Sequence, residues 1–158
     1  MGSLSLTLTV LWAVVARARP WPATTDSHMD KVWRDAVRRG NVGRLRELLD
    51  LGADINARDR YGQTGPMIAA RAGQSNVVRF LIERGARLDH TAKYGLSAVM
   101  LAVLNGHVEI VRLLVQAGAN LELRGTEAPS FHGNTALDLA EARRDSTMVE
   151  VLRSRASP

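Results

Sequence analysis

Apolar side chains fall in adjacent pairs four residues apart through much of this chain. Between residues 95 and 119 the pairs Ile110-Val111 and Leu114-Val115 put one apolar stripe along a helix. The run GLSAVMLAVLNGHVEIVRLLVQAGA over those residues predicts two short helices back to back, with Gly106 at the hinge and Gly118 at the exit. Glycine at a helix end adopts the left-handed conformation at little steric cost. Alanines such as Ala102 leave room for a neighbouring helix to approach closely.

The same design stands 33 residues upstream, over residues 62–86. Setting residues 61–91 on residues 94–124 matches Tyr, Gly, Met, Ala, Gly, Val, Arg, Leu, Gly, Ala and Leu. A fixed period of this size is the signature of stacked repeats, each a supersecondary unit that cannot bury its apolar face alone. The series Gly40, Gly73, Gly106 and Gly52, Gly85, Gly118 step by 33 and define three units from Met29 onward. Their apolar positions are Ala36, Leu45, Leu48 and Leu49; Ala69, Val77, Val78, Leu81 and Ile82; and Ala102, Ile110, Val111, Leu114 and Val115. A fourth unit starts late, because Gly133 lies 38 residues after Gly95 and five extra residues enter the loop around 124–132. It resumes at Asn134-Thr135-Ala136-Leu137 and closes with Met148, Val149, Val151 and Leu152. Its charged last helix suits an end-cap, beyond which nothing stacks. The expected fold class is an all-α repeat solenoid over residues 29–155, with units at 29–60, 61–93, 94–126 (its inserted loop reaching 132) and 133–155.

Residues 1–28 fall outside the repeat. Met1–Ala16 has no charged side chain, and residues 4–16 are too short an apolar run to cross a bilayer, which takes roughly 20 residues. Three readings compete: an export signal with a small-residue cleavage site near Ala16 or Ala18, a leader upstream of a start at Met29, and a strand over the alternating residues 3–10. A cytoplasmic location is expected, with export the alternative if residues 1–18 act as a signal.

Composition narrows the chemistry. The 158 residues hold no cysteine, which excludes disulfides and thiolate metal sites. Aromatics make up only 4%, so the core must come from Ala, Leu, Val and Ile. Net charge is +5, and all 21 bases but Lys31 and Lys93 are arginine. Within the repeats 19 bases are interspersed along the sequence with 15 acids, as in Arg58-Asp59-Arg60. His28, His90, His107 and His132 show no metal-ligand spacing, and no phosphate-binding glycine loop is present. Glu127 and His132 lack any nucleophile beside them. No catalytic residue, metal or cofactor is expected. His107 reads as a turn residue bonded to nearby backbone.

The repeats resemble the ankyrin-repeat family over roughly residues 29–153. Gly52-Ala53-Asp54-Ile55-Asn56 is similar to its G-A-D-x-N turn, and Gly106-His107-Val108-Glu109-Ile110-Val111 to its G-H-x-E-x-V hinge. The unit starts depart from the family's T-P-L-H: they read Lys31-Val32-Trp33-Arg34, Thr64-Gly65-Pro66-Met67, Ser97-Ala98-Val99-Met100 and Thr135-Ala136-Leu137-Asp138, none with the histidine. Pro66 falls one place late, still within the first helical turn where a missing N–H is tolerated. The resemblance implies a curved stack that binds another protein, as adaptor, scaffold or inhibitor, through β-turn finger tips and a concave groove, with no chemistry required. Candidate finger-tip contacts are Arg58, Arg60, Tyr61, Lys93 and Tyr94. Candidate groove contacts are Arg71, Leu101, Leu104 and Asn105, with Ile68 and Ala72 beside them. Phe131 of the inserted loop is the remaining candidate, and the alternative is that it folds back over the last two units. Asn56 stands where some family members are hydroxylated, or it stabilises its turn through its own side chain. The competing function is a basic surface for nucleic acid or anionic membrane; dispersed bases and only two tyrosines disfavour nucleic acid. A monomer is expected.

Overall fold

A computed structural model describes residues 27–126 and 129–154. Of the expected leader, residues 1–28, all but the last two lie outside the described residues, as does Glu127; Ser27 and His28 belong to the first helix, which starts before Met29.

Among the described residues eight α-helices form in four antiparallel pairs: α1 Ser27–Arg38 with α2 Val42–Asp50, α3 Gly65–Ala72 with α4 Ser75–Glu83, α5 Ala98–Leu104 with α6 Val108–Gln116, and α7 Ala136–Ala142 with α8 Ser146–Arg153. The described residues contain no strand, only one isolated bridge between Gly125 and His132. The first helices of each pair pack in succession, α1 on α3 on α5 on α7, and the second helices form a row behind them. This is the all-α solenoid that the periodicity predicts.

The second helices follow the expected stripe. Helix α6 buries Ile110, Val111, Leu114 and Val115 and leaves Arg112 and Gln116 to solvent. Each buried Leu or Ile is worth about 1.5–3 kcal/mol in transfer. The first helices meet through small side chains: Ala36, Ala69, Ala102 and Ala140 stand at equivalent places in the four units, and all are buried. Helix starts vary in quality. Thr135 and Asp138 form a reciprocal capping box, and the two hydrogen bonds from Thr135 hold the Asp138 carboxyl below its ordinary range. Ser97 accepts from the Met100 N–H at 3.3 Å. Thr64 makes no side-chain cap, and Pro66 sits in the first turn of α3 as expected. The junction of the first two units also leaves Trp33 Nε1, Gln63 Oε1 and Thr64 Oγ1 buried without a hydrogen-bond partner.

Two expectations change in detail. His107 makes no side-chain capping bond; its ring lies instead against Gly73, where an added Cβ would come within 2.8 Å of Cε1. Phe131 folds back and packs, half-buried, against the core.

The hinge between paired helices requires a left-handed residue. Gly40, Gly73 and Gly106 supply it with φ of 71°, 75° and 76°, but the fourth unit places Arg144 there at φ 57°. A side chain in this region costs roughly 1–2 kcal/mol. Arg144→Gly should therefore stabilise the protein by about 1 kcal/mol in urea denaturation, whereas Gly73→Ala should destabilise it by at least that much. The two ends of the stack should differ from its middle. Leu114→Ala, in α6 with neighbours on both sides, should cost roughly 2–5 kcal/mol. Leu152→Ala, in α8 at the end of the described stack, should cost less, because no described unit packs on its outer face; equal or reversed costs would contradict this packing.

Candidate partner-binding groove

The loops joining successive units project as fingers. In the first, the Asp59 carboxylate accepts from the backbone N–H of Tyr61 and of Gln63, both at 2.9 Å, and closes the turn. The equivalent residue one unit on is Ala92, which has no carboxylate to offer. There only the backbone bonds that both fingers share remain, Ala92 N–H to Leu96 O at 2.9 Å and Gly95 N–H to Ala92 O at 3.1 Å, the counterparts of Asp59 N–H to Gln63 O and Gly62 N–H to Asp59 O. Tyr94 is driven into the left-handed region, φ 66° and ψ 18°. Tyr61 is 49% exposed and Tyr94 38%, so neither ring is held chiefly by burial. The fingers are tied to one another: Lys93 N–H donates to Tyr61 O at 3.1 Å, and Thr126 N–H to Tyr94 O at 2.7 Å. Each ring carries its own cation, with the Arg60 guanidinium 4.9 Å from the Tyr61 centroid and Lys93 Nζ 4.9 Å from that of Tyr94.

Below these tips lies an open groove of about 750 Å³. Ile68, Leu96 and Leu101 give it an apolar floor, and Tyr61 and Tyr94 stand on its rim. Six cations line it: Lys31, Arg34 and Arg38 of α1, Arg71 of α3, and Arg60 and Lys93 of the fingers. Only two acids join them, Asp35 and Asp59, and the Asp59 carboxylate is already committed to its turn. The lining changes along the stack. The first unit contributes Lys31, Arg34, Arg38 and Arg60, the second Arg71 and Lys93, and the third only Tyr94, Leu96 and Leu101. The groove is charged over the first two units and apolar toward the third.

Six of the predicted contact residues meet here: Arg60, Tyr61, Arg71, Lys93, Tyr94 and Leu101. Leu101 is only 6% exposed, so it forms floor and not a free patch. The others lie elsewhere. Leu104 is half-buried, its carbonyl accepting from Arg143 Nη1 at 2.9 Å. Asn105 turns its amide back onto Leu101 O at 2.8 Å, finishing its own helix. Arg58 donates to His90 Nδ1 at 2.5 Å on the neighbouring finger. Burial, then the positive charges of Arg58 and Arg87, lower the His90 pKa, with Asp54 and Asp89 opposing. Phe131 is drawn onto the core. The Asn56 side chain ties its finger to the next unit and does not brace its own turn: Oδ1 accepts from the Arg87 N–H at 2.8 Å, while its backbone N–H donates to Asp54 Oδ1 at 2.9 Å.

Lys31, Arg34 and Arg38 were not among the predicted contacts. Their spacing of three and four residues puts them on one face of α1, and Arg38 precedes Arg71 by one period, which is the signal that points to them. Bases dispersed along the sequence are thus gathered by the stack into one cationic surface, contrary to the expectation from order alone. Among the described residues no group of three or more His, Asp or Glu could hold a metal ion. No described helix is long and apolar enough to cross a membrane.

A stack of paired helices with turn fingers and a concave groove defines a helical repeat protein. The family model of ankyrin repeats (3 copies) matches residues 34–125 and again residues 94–158. The chain belongs to the ankyrin-repeat family, whose repeats generally mediate protein–protein interaction and are typically non-catalytic. Comparison with curated proteins returned no match.

The backbone of Tyr94 makes a separate expectation. Tyr94→Gly should raise stability by roughly 0.5–1 kcal/mol, the left-handed cost less an exposed cation–π contact. Tyr61 has no positive φ, so Tyr61→Gly should lower stability; urea midpoints of the two variants give the comparison.

Proposed function

We propose that the chain is a non-catalytic protein-binding module, an adaptor, scaffold or inhibitor acting as a monomer, that takes its partner in the groove beneath its first two finger tips. The observation that carries this reading is the pair of exposed tyrosines on adjacent fingers, fixed relative to each other by the Lys93–Tyr61 backbone bond. Tyr and Arg are favoured anchors, since they bring much contact area at low entropic cost. A rigid display also loses little ordering entropy when a partner arrives.

The cationic lining favours a second reading, a binder of nucleic acid or anionic membrane. Against it, each tyrosine already has a ring face covered by its own cation, whereas single-strand binders stack bases on open aromatic faces. A recessed floor of buried side chains also has nothing to insert into a bilayer.

Pull-down from source cells with the wild-type chain and with Tyr61→Ala/Tyr94→Ala tests the primary reading. The double variant should keep its helical circular dichroism and lose the captured partner by at least about thirtyfold in affinity. An unchanged set of captured proteins at unchanged affinity would sink it.

A further inference from the structure

We propose that the occupant of the groove is an acidic, extended segment of another protein, with carboxylates over the first two units and an aliphatic side chain over the third. This rests on the reading of the groove as a protein-binding site and adds the chemistry of the partner.

Charge complementarity comes first. Six cations face two acids, and one of those acids is satisfied by backbone N–H groups. Lys31, Arg38 and Arg71 form no ion pair among the described residues. Like charges gathered this way repel, and a ligand with carboxylates relieves the repulsion on binding.

The lining also fixes the order along the ligand. All six cations come from the first two units, and the third unit lines the groove only with Tyr94, Leu96 and Leu101. A carboxylate laid over Leu96 and Leu101 would lose water and gain no partner, whereas an aliphatic group there loses nothing. Helices packed roughly 8–10 Å apart put α1 and α5 about 20 Å from each other. At about 3.3 Å per residue, roughly six extended residues cross that distance. A polyphosphate chain carries charge evenly along its length and cannot match this change from cationic to apolar lining. The chain's own residues 1–26 carry Arg17 and Arg19 against Asp26, so they offer no acidic run.

The experiment is selection of phage-displayed random dodecapeptides on the full chain, then fluorescence anisotropy of the enriched peptides. Binding is compared for wild type, Arg38→Glu/Arg71→Glu and Tyr61→Ala/Tyr94→Ala, with circular dichroism to verify each fold. The enriched peptides should be net acidic with an aliphatic residue flanking the acids. Their affinity should fall at least about tenfold in the Arg→Glu pair and fall with added salt. Neutral or basic peptides that still require Tyr61 and Tyr94 would overturn the acidic partner and leave the groove reading standing. Peptides indifferent to both pairs of substitutions, or no enrichment at all, would overturn both. A labelled oligothymidylate that binds more tightly than any peptide at physiological salt, and is lost with the Arg→Glu pair, would overturn the peptide in favour of nucleic acid.

Discussion

A column of alanines decides how closely the first helices can lie. Ala36, Ala69, Ala102 and Ala140 occur once per unit at the same place, and all four are buried. A larger side chain in that column would push adjacent helices apart and strain the contacts behind them. With the helices close, the second helices can bury Leu45, Val77, Val78, Ile110, Val111 and Met148 between neighbouring units. No unit could bury these residues by itself, so each depends on the next. The spacing of the fingers follows from the same column, since every finger leaves its unit at an equivalent point.

That spacing turns a periodic sequence into a surface. Residues 33 apart are strangers along the chain and neighbours across the stack. Arg38 and Arg71 meet in this way, as do Arg60 and Lys93 at the tips. A net charge spread thinly over the sequence therefore becomes a local excess of cations around one groove. The change from cation to leucine at the third unit gives that groove a direction, which a uniform patch would lack.

The repeat ladder was legible because glycine and apolar positions recur at fixed steps and answer to backbone and packing requirements common to every unit. The helix hinges, the buried stripes and the tolerance of Pro66 all come from such shared constraints. The groove was only half legible. Tyr61, Tyr94, Arg60 and Lys93 stood out because they recur with the period. The α1 cations did not, because the sequence of the first unit drifts from the others: Arg34 stands where Met67 and Met100 are buried. Leu104, Asn105, Arg58 and Phe131 have the right residue types for a contact surface. Local geometry uses them otherwise, as a half-buried carbonyl-bearing residue, a helix end, a finger-to-finger bond and a loop anchor. Nothing in residue type alone separates these uses from binding.

The two fingers that frame the groove share their backbone bonds and differ in a side-chain brace. Asp59 spends its carboxylate on two backbone N–H groups, and Tyr61 keeps an ordinary backbone. With Ala92 in the equivalent place, the second finger has no such brace, and Tyr94 carries a left-handed backbone on an exposed aromatic residue. Asparagine or glycine would hold that conformation at less cost. The surroundings can impose it because both flanking residues are pinned: Lys93 N–H to the first finger, and the Tyr94 carbonyl to Thr126. Strain of this kind persists only where neighbouring structure fixes it, and it concentrates where a surface is used. The same rigidity that places Tyr94 beside Tyr61 also keeps six like charges together around the groove. In an unstacked chain those charges would drift apart, so the packing of the units is what opposes their repulsion.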